Sequence, residues 1–444
     1  MADLAISAKT HGVGVFLELR KRLQSGSLIL GKDVAANPAD VFVTGGVSSL
    51  HIQTPAGEVT LILPPGFSYV EESCTVTPGG REELHFRLQI SVSHDKIEDT
   101  SYSIVETLRA QETYCFYCQT CTTRLLEDRS FKRVLPLPNG NWNAIVDDWC
   151  CHPDPFANKK MLPRAEDCLL GDTFFLLARD GSCEQTLLQE ESPADSQDSQ
   201  DPKKACHRKT LVYCTSCSSV LGEALTPETL KLYITQVVVE PHVGDRKPES
   251  LVNRSFFLEK TVAARLAELS NSLSSFHFSV QTPNGKPFLL LWLLNSDSII
   301  VSVPEWSANP STCHNSSPRA ARALKLLYVR CSRVDVEQQE IITSWEVNAT
   351  GHPVVLPLKV CEELLQVIDD SNATLPASMR RMRAYELTGI KVTQESWSLK
   401  HMWQTLHGCT RSERLWHCHL RSVFITSNMA QRETGLQSIS CTAS

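Results

Sequence analysis

"YCQTCTTRL", residues 117–125, and "YCTSCSSVL", residues 213–221, line up position by position. Tyr117 matches Tyr213, Cys118 matches Cys214, Cys121 matches Cys217 and Leu125 matches Leu221. Two hydroxyl residues follow each pair, Thr122-Thr123 in one copy and Ser218-Ser219 in the other. The first copy lies inside "YCFYCQTCTTRL", residues 114–125, where Cys115, Cys118 and Cys121 are evenly spaced. The repeat settles the register. Cys118 and Cys121 form one knuckle, Cys214 and Cys217 the other, and Cys115 is spare. Cys-x-x-Cys lets one tight turn aim two sulfurs at one ion, and two such turns complete a tetrahedron with Zn–S bonds of about 2.3 Å. The expected cofactor is therefore one structural Zn²⁺. Four sulfurs close the site and leave no position for a catalytic water. The long stretch between the knuckles must leave and return as an inserted subdomain. The competing reading is two independent buried or redox-active Cys-x-x-Cys turns.

The chain has 444 residues, enough for about two or three ordinary domains. Hydrophobic residues make up 42% and charged residues 21%, which fits a globular protein. The net charge of −7 offers no basic footprint for nucleic acid and no polybasic patch for a membrane. "MADLAISAKTHGVGVFLELRKRLQ" at the N-terminus lacks a signal-peptide core, and "PFLLLWLLN" is too short to span a bilayer. The expectation is a soluble intracellular protein of the cytoplasm, with the nucleus as a second compartment. In a reducing compartment, 17 cysteines point to metal before disulfides.

The expected fold class is α+β in four regions. Residues 1–110 form a β-rich N-terminal domain, because "VGVFLELR", "SSLHIQT", "VTLILPP" and "LHFRLQISV" are β-prone runs between Gly, Pro and Asn clusters. A β-sandwich or open barrel suits them. Residues 111–225 form the zinc-stapled central region. Within it 184–209, "EQTLLQEESPADSQDSQDPKKACHRK", is too polar to order itself and reads as a disordered insertion. Residues 226–392 read as mixed α+β. Thr226 and Pro227 suggest a helix start, and "YITQVVVE" a strand. Leu258, Val262, Leu266, Leu269 and Leu273 mark an amphipathic helix. "FHFSVQTPNGKPFLLLWLLN" is a hairpin ending in a fully buried strand, and "PRAARALKLLYV" a further helix. Residues 393–444 lack periodicity and read as a poorly ordered tail.

"WCCHPDPF", residues 149–156, sets Cys150 and Cys151 beside His152. A neighbouring imidazole can lower a thiol pKa and produce a reactive thiolate. The alternative is a Pro-rich loop anchored by Trp149 and Phe156, with His152 bonded to backbone.

"RVLPLPNGNWNAIVDDWCCHPDPFAN", "GDTFFLLARD", the two knuckles and "LLWLLNSDS" together closely resemble the HECT-like ubiquitin ligases. That family is also described as binding the ubiquitin-conjugating enzyme that serves mitotic cyclins. The resemblance covers about residues 10–392. It implies an enzyme that accepts ubiquitin from a conjugating enzyme and passes it to substrate proteins such as cyclins, marking them for proteasomal degradation. It places the conjugating-enzyme contact in about 244–269, where an exposed Phe256-Phe257 pair is the best anchor. Transfer through a thioester needs an accessible cysteine. In HECT ligases it lies in a Leu-Pro-x-x-x-Thr-Cys segment near the C-terminus. Leu356, Pro357 and Cys361 approach that pattern, but the spacing is one residue short and Val360 replaces Thr. Cys361, Leu364, Leu365 and Ile368 also share one apolar helix face, where Cys is a small hydrophobe. Nucleophile and core both stay open for Cys361, with Cys151 as second candidate and Cys150 as third. The alternative function is a non-catalytic zinc-stapled adaptor or chaperone that binds a protein partner. Distant relatives linked to pre-mRNA 3′-end processing would suit that role, through protein rather than RNA contact.

Overall fold

The computed structural model describes residues 14–79, 82–93, 108–137, 162–191, 210–242, 253–303, 317–331, 336–348 and 350–392. The "WCCHPDPF" loop with Cys150 and Cys151, and the tail from 393, lie outside the described residues. The chain is strand-rich, with several sheets and few helices.

The N-terminal β-prone runs are strands: β1 (Val15–Arg20), β2 (Ser25–Gly31) and β3 (Glu83–Val92), joined antiparallel in that order. In β3, Phe86, Leu88 and Ile90 are buried between exposed Arg87, Gln89 and Ser91, the alternation of a half-buried strand. A small sheet of Phe42–Gly46, Ser49–Thr54 and Gly57–Ile62 packs Leu50, Ile52 and Leu61 against Leu17, Leu19, Leu28 and Leu88. Among the described residues these strands do not close a sandwich or barrel of their own. Their sheet continues through β1 into the C-terminal part of the chain.

The central part opens with β4 (Thr113–Cys118) and β5 (Arg124–Ser130), and later gives β6 (Thr210–Cys214), β7 (Val220–Thr226) and β8 (Val237–Pro241). β5, β4 and β8 make a three-stranded sheet, while β6 and β7 belong to a seven-stranded one. One core unites the two, with Phe116, Leu125, Leu126 and Val237 from the first and Phe175, Val212, Leu221 and Leu230 from the second. Two expectations are corrected here. The segment 184–209 does not start disordered, because Leu187–Glu191 is a strand paired with β6, and only 192–209 lies outside the described residues. Thr226-Pro227 starts no helix. Thr226 pairs with Thr229 across a tight turn into strand Thr229–Tyr233. Proline's fixed φ serves the second position of a turn as well as a helix start.

The C-terminal part begins with α1 (Arg254–Leu273), whose first turn is capped by the Asn253 side chain accepting from Ser255 N. β9 (His277–Gln281) and β10 (Pro287–Val303) form the expected hairpin. They are followed by β11 (Ala321–Arg330), α2 (Val336–Val347), α3 (Leu358–Ala373) and β12 (Tyr385–Lys391). β11 is the helix expected over 318–329, and it is a strand. Its Ala, Leu and Lys residues favour a helix, but tertiary pairing overrides propensity. β11 is hydrogen-bonded to β10 on one side and β12 on the other. Leu324, Leu326 and Tyr328 fill one face, and Leu327 and Val329 the other.

An 11-stranded sheet results, with the central order β12-β11-β10-β1-β2-β3. β1 lies antiparallel to β10, Val15 opposite Val303. The sheet therefore crosses the boundaries drawn at 110 and 226. α1 and α3 cover one face with Leu258, Val262, Leu266, Leu364 and Ile368, and α2 covers part of the other with Ile342 and Trp345. Among the described residues no helix is long and apolar enough to cross a membrane.

The strand pairing next to the second knuckle leaves no room at Gly222, where an added Cβ would run into the Lys231 carbonyl oxygen. Gly222→Ala is expected to destabilise the protein by about 1–3 kcal/mol through overpacking. Gly181→Ala, with nothing within 4 Å of the new methyl, should stay within about 0.5 kcal/mol. Urea midpoints of the two variants check this.

Candidate metal centre

Each knuckle is the turn of a hairpin. β4 runs into Cys118 and returns as β5; β6 runs into Cys214 and returns as β7. The two turns are built alike. Cys118 N donates to Thr123 O at 2.8 Å and Thr122 N to Cys118 O at 2.9 Å. Cys214 N donates to Ser219 O at 2.9 Å and Ser218 N to Cys214 O at 2.8 Å. Both turns close through a left-handed residue, Thr122 at φ 57° and Ser218 at φ 56°. The aligned sequences thus encode aligned backbones.

The turns meet sulfur to sulfur. Cys118 Sγ lies 3.6 Å from Cys217 Sγ, and Cys121 Sγ lies 3.7 Å from Cys214 Sγ. All four sulfurs fall within 4.8 Å of one another. A tetrahedron with bonds of about 2.3 Å has edges of about 3.8 Å, so the set fits one four-coordinate ion. Cys118 and Cys214 are buried and Cys121 and Cys217 half-buried. The repeated hydroxyls stand beside the outer sulfurs: Thr123 Oγ1 is 3.2 Å from Cys121 Sγ and Ser219 Oγ 3.3 Å from Cys217 Sγ. Burial pushes the Cys118 and Cys214 thiols up. Burial also raises Cys217, but donors from Ser219, Cys121 and Cys118 outweigh it and hold that thiol down to about 7. The Cys217 sulfur is therefore readily a thiolate, and the raised Cys118 and Cys214 thiols need a cation to become so. The cluster could hold a metal ion.

Gln119, next to Cys118, was not legible as a functional residue. Its N–H donates to Gln236 O at 3.1 Å, and its Oε1 accepts from Arg254 at 3.2 Å. Arg254 opens α1, also bonds Thr235 O, and pairs with Glu363 of α3 at 2.6 Å. The knuckle is thereby fastened to both helices. Cys115, left spare by the repeat, points away from the four sulfurs and stands beside Asp128 and His242.

The candidate nucleophile Cys361 lies in the first turn of α3, with no exposed surface, and its Sγ donates to Leu356 O at 3.5 Å. Burial, with the Glu362 carboxylate close by, pushes its thiol up to about 12. Of the two readings, the geometry is that of core. The expected exposed pair is also corrected. Phe257 is buried at 9% exposure and Phe256 is half-buried, because the α1 face that carries Leu258 and Val262 extends to Phe257. Cys151 and Cys150, the remaining candidates, lie outside the described residues.

The family described as HECT-like ubiquitin-conjugating enzyme (E2)-binding matches residues 18–387. The chain belongs to this family. The chain is similar to proteins named E3 ubiquitin-protein ligase E3D. The one from Mus musculus is 37% identical over 391 residues, covering 85% of this chain and 98% of the mouse protein. The one from Homo sapiens is 35% identical over 407 residues, covering 87% of this chain and 100% of the human protein. No solved structure matches.

The left-handed turns give a direct check on knuckle geometry. A non-glycine L-residue in this region costs about 1–2 kcal/mol, and a branched Cβ more. Ser218→Gly is expected to raise stability by up to about 1 kcal/mol after glycine's greater unfolded-state entropy is subtracted, and Ser218→Val to lower it by about 1–2 kcal/mol. Chemical denaturation of the two variants reads both signs.

Proposed function

We propose that this chain is a ubiquitin-protein ligase. It receives a ubiquitin-conjugating enzyme carrying ubiquitin and promotes transfer to substrate proteins, cyclins among the candidates, for proteasomal degradation. The observation that carries this reading is the pair of relatives named as ligases, matched over nearly their full length, in a family described by binding to the conjugating enzyme. The cytoplasm, with the nucleus, is the compartment that goes with it.

The geometry bears on how transfer occurs. A thioester relay needs a thiol that can ionise and be reached. Cys361 offers neither, being buried and shifted up to about 12. Two routes are then left. Either Cys151 or its neighbour Cys150 accepts the ubiquitin, or the chain holds the charged conjugating enzyme in a productive pose and acts through proximity and orientation. The burial of Cys361 also favours a second reading, an adaptor or chaperone whose work is to bind a protein partner, as in pre-mRNA 3′-end processing.

Incubation with activating enzyme, conjugating enzyme and ubiquitin separates these. Ubiquitin conjugates are expected to form, and Cys361→Ser to leave their rate within about twofold, since it removes no reacting group. A reducible ubiquitin adduct lost on Cys361→Ser would overturn the burial argument. A reducible adduct lost on Cys151→Ser would assign the relay to that residue. Absence of conjugates with every conjugating enzyme, alongside stable capture of a protein partner, would favour the adaptor.

We further infer that the four sulfurs hold one structural Zn²⁺. Such sites add about 10–16 kcal/mol of apparent binding energy to folding at neutral pH. Cys214→Ser, or a strong chelator with the wild type, is therefore expected to lower the melting temperature sharply. Zinc-free protein that keeps its melting temperature would sink the assignment.

A further inference from the structure

Cys115 is the cysteine that the repeat releases, yet it is not alone. Its Sγ donates to Asp128 Oδ1 at 2.9 Å and lies 3.5 Å from His242 Nδ1. His242 Nδ1 lies 3.3 Å from Asp128 Oδ2. Sulfur, nitrogen and carboxylate oxygen all fall within 4.8 Å of one another. We propose that Cys115, Asp128 and His242 form a second metal site, open rather than closed, that takes a zinc-class divalent ion and keeps its fourth position for water or an incoming ligand.

The backbone builds this set. Each strand of the β5-β4-β8 sheet brings one donor to the same face. Cys115 comes from the middle strand, Asp128 from one edge, and His242 from the residue after β8. The β4–β5 register slips between Leu126 and Arg129. An irregularity of that kind re-aims a side chain, and here Asp128 faces Cys115. His242 is held by its own backbone, its N–H donating to Thr113 O at 2.8 Å. Donors on rigid strands make a more exact site than donors on loops.

The chemistry of the donors is that of zinc. Thiolate, imidazole and carboxylate are its three protein ligand types, and three protein ligands with one open position mark the reactive class of site. Bonds of about 2.0–2.3 Å put neighbouring donor atoms about 3.3–3.8 Å apart. The Nδ1–Sγ and Nδ1–Oδ2 separations of 3.5 and 3.3 Å already match. The shorter Sγ–Oδ1 separation is where the thiol proton sits. The ion takes that proton's place and releases it to solvent, so thiolate and carboxylate together balance the double charge. Supporting contacts are in place, because Arg124 pairs with Asp128 and the Tyr117 hydroxyl bonds Cys115. His242 and Asp128 are 36% and 34% exposed at their side chains, which leaves a way in.

A Cys-His-Asp relay is a poorer account of the same residues. In a relay the imidazole bridges thiol and carboxylate with its two different nitrogens. Here both partners face Nδ1, and the thiol donates straight to the carboxylate.

The test uses the full chain loaded with cobalt(II) or zinc, freed of excess metal by gel filtration. Metal per chain is measured by mass spectrometry and ligand type by cobalt absorption. The wild type is expected to hold two ions and His242→Ala one. Cys115→Ala should also hold one, and the four-sulfur charge-transfer band should be undiminished in both. His242 is on the surface, so its variant reads binding rather than folding. A wild type with one ion and the full four-sulfur band overturns this site and leaves the staple standing. A wild type with no ion overturns both. Two ions retained in His242→Ala and Cys115→Ala overturn it as well.

Discussion

Two hairpin turns meet at four sulfur atoms, and much of the molecule is arranged around that meeting. It joins the three-stranded sheet of β4 to the seven-stranded sheet of β6, over a single core that contains Cys118 and Cys214 themselves. Four ionised thiols at these spacings would repel one another strongly, and a divalent ion between them turns that repulsion into attraction. The apparent energy of such binding, about 10–16 kcal/mol, rivals the whole stability of an ordinary domain. The contact is passed on through Gln119 to Arg254, and from Arg254 to Glu363. The ends of α1 and α3 are therefore positioned by the same turn that presents Cys118.

The rest of the frame is the large sheet, which is why the N-terminal and C-terminal parts of the chain cannot be separated cleanly. β1 carries Glu18 into its interior, and Lys325 of β11 reaches it at 2.7 Å while Ser298 donates at 3.0 Å. A buried charge is tolerated only when paired and hydrogen-bonded, and removing one partner strands the other. This pair therefore selects the register of β1, β10 and β11 together. A second tie connects the central part to the sheet. Asp172 binds Arg265 of α1 and His352, and Thr173 donates to Val355 O at 2.7 Å.

What could be read from the sequence was what is encoded locally or twice. The knuckle register was legible because two copies of one turn align, down to the hydroxyls beside Cys121 and Cys217. α1 and the helix face of Cys361 were legible because 3.6-residue periodicity survives in one short stretch. β11 was misread because "ARALKLLYV" has helical composition and its strand state comes from partners on both sides. Thr226-Pro227 was misread because one proline geometry serves two structures. The Cys115 group was invisible for a different reason. Its members are 13 and 127 positions apart, and only the slipped register of β5 brings Asp128 round.

The contrast between Cys115 and Cys118 follows from strand geometry. They lie three positions apart on one strand, so they face opposite sides of the sheet. Cys118 turns inward to the shared core, where low polarity and three further sulfurs suit a closed site. Cys115, itself buried, lies on the opposite face, beside an imidazole and a carboxylate near solvent that suit an open one. An even spacing between the two would have put both thiols on one side and let them compete for the same ion. The odd spacing in "YCFYC" keeps them apart. One short strand can then serve architecture on its inner face and ligand exchange on its outer one.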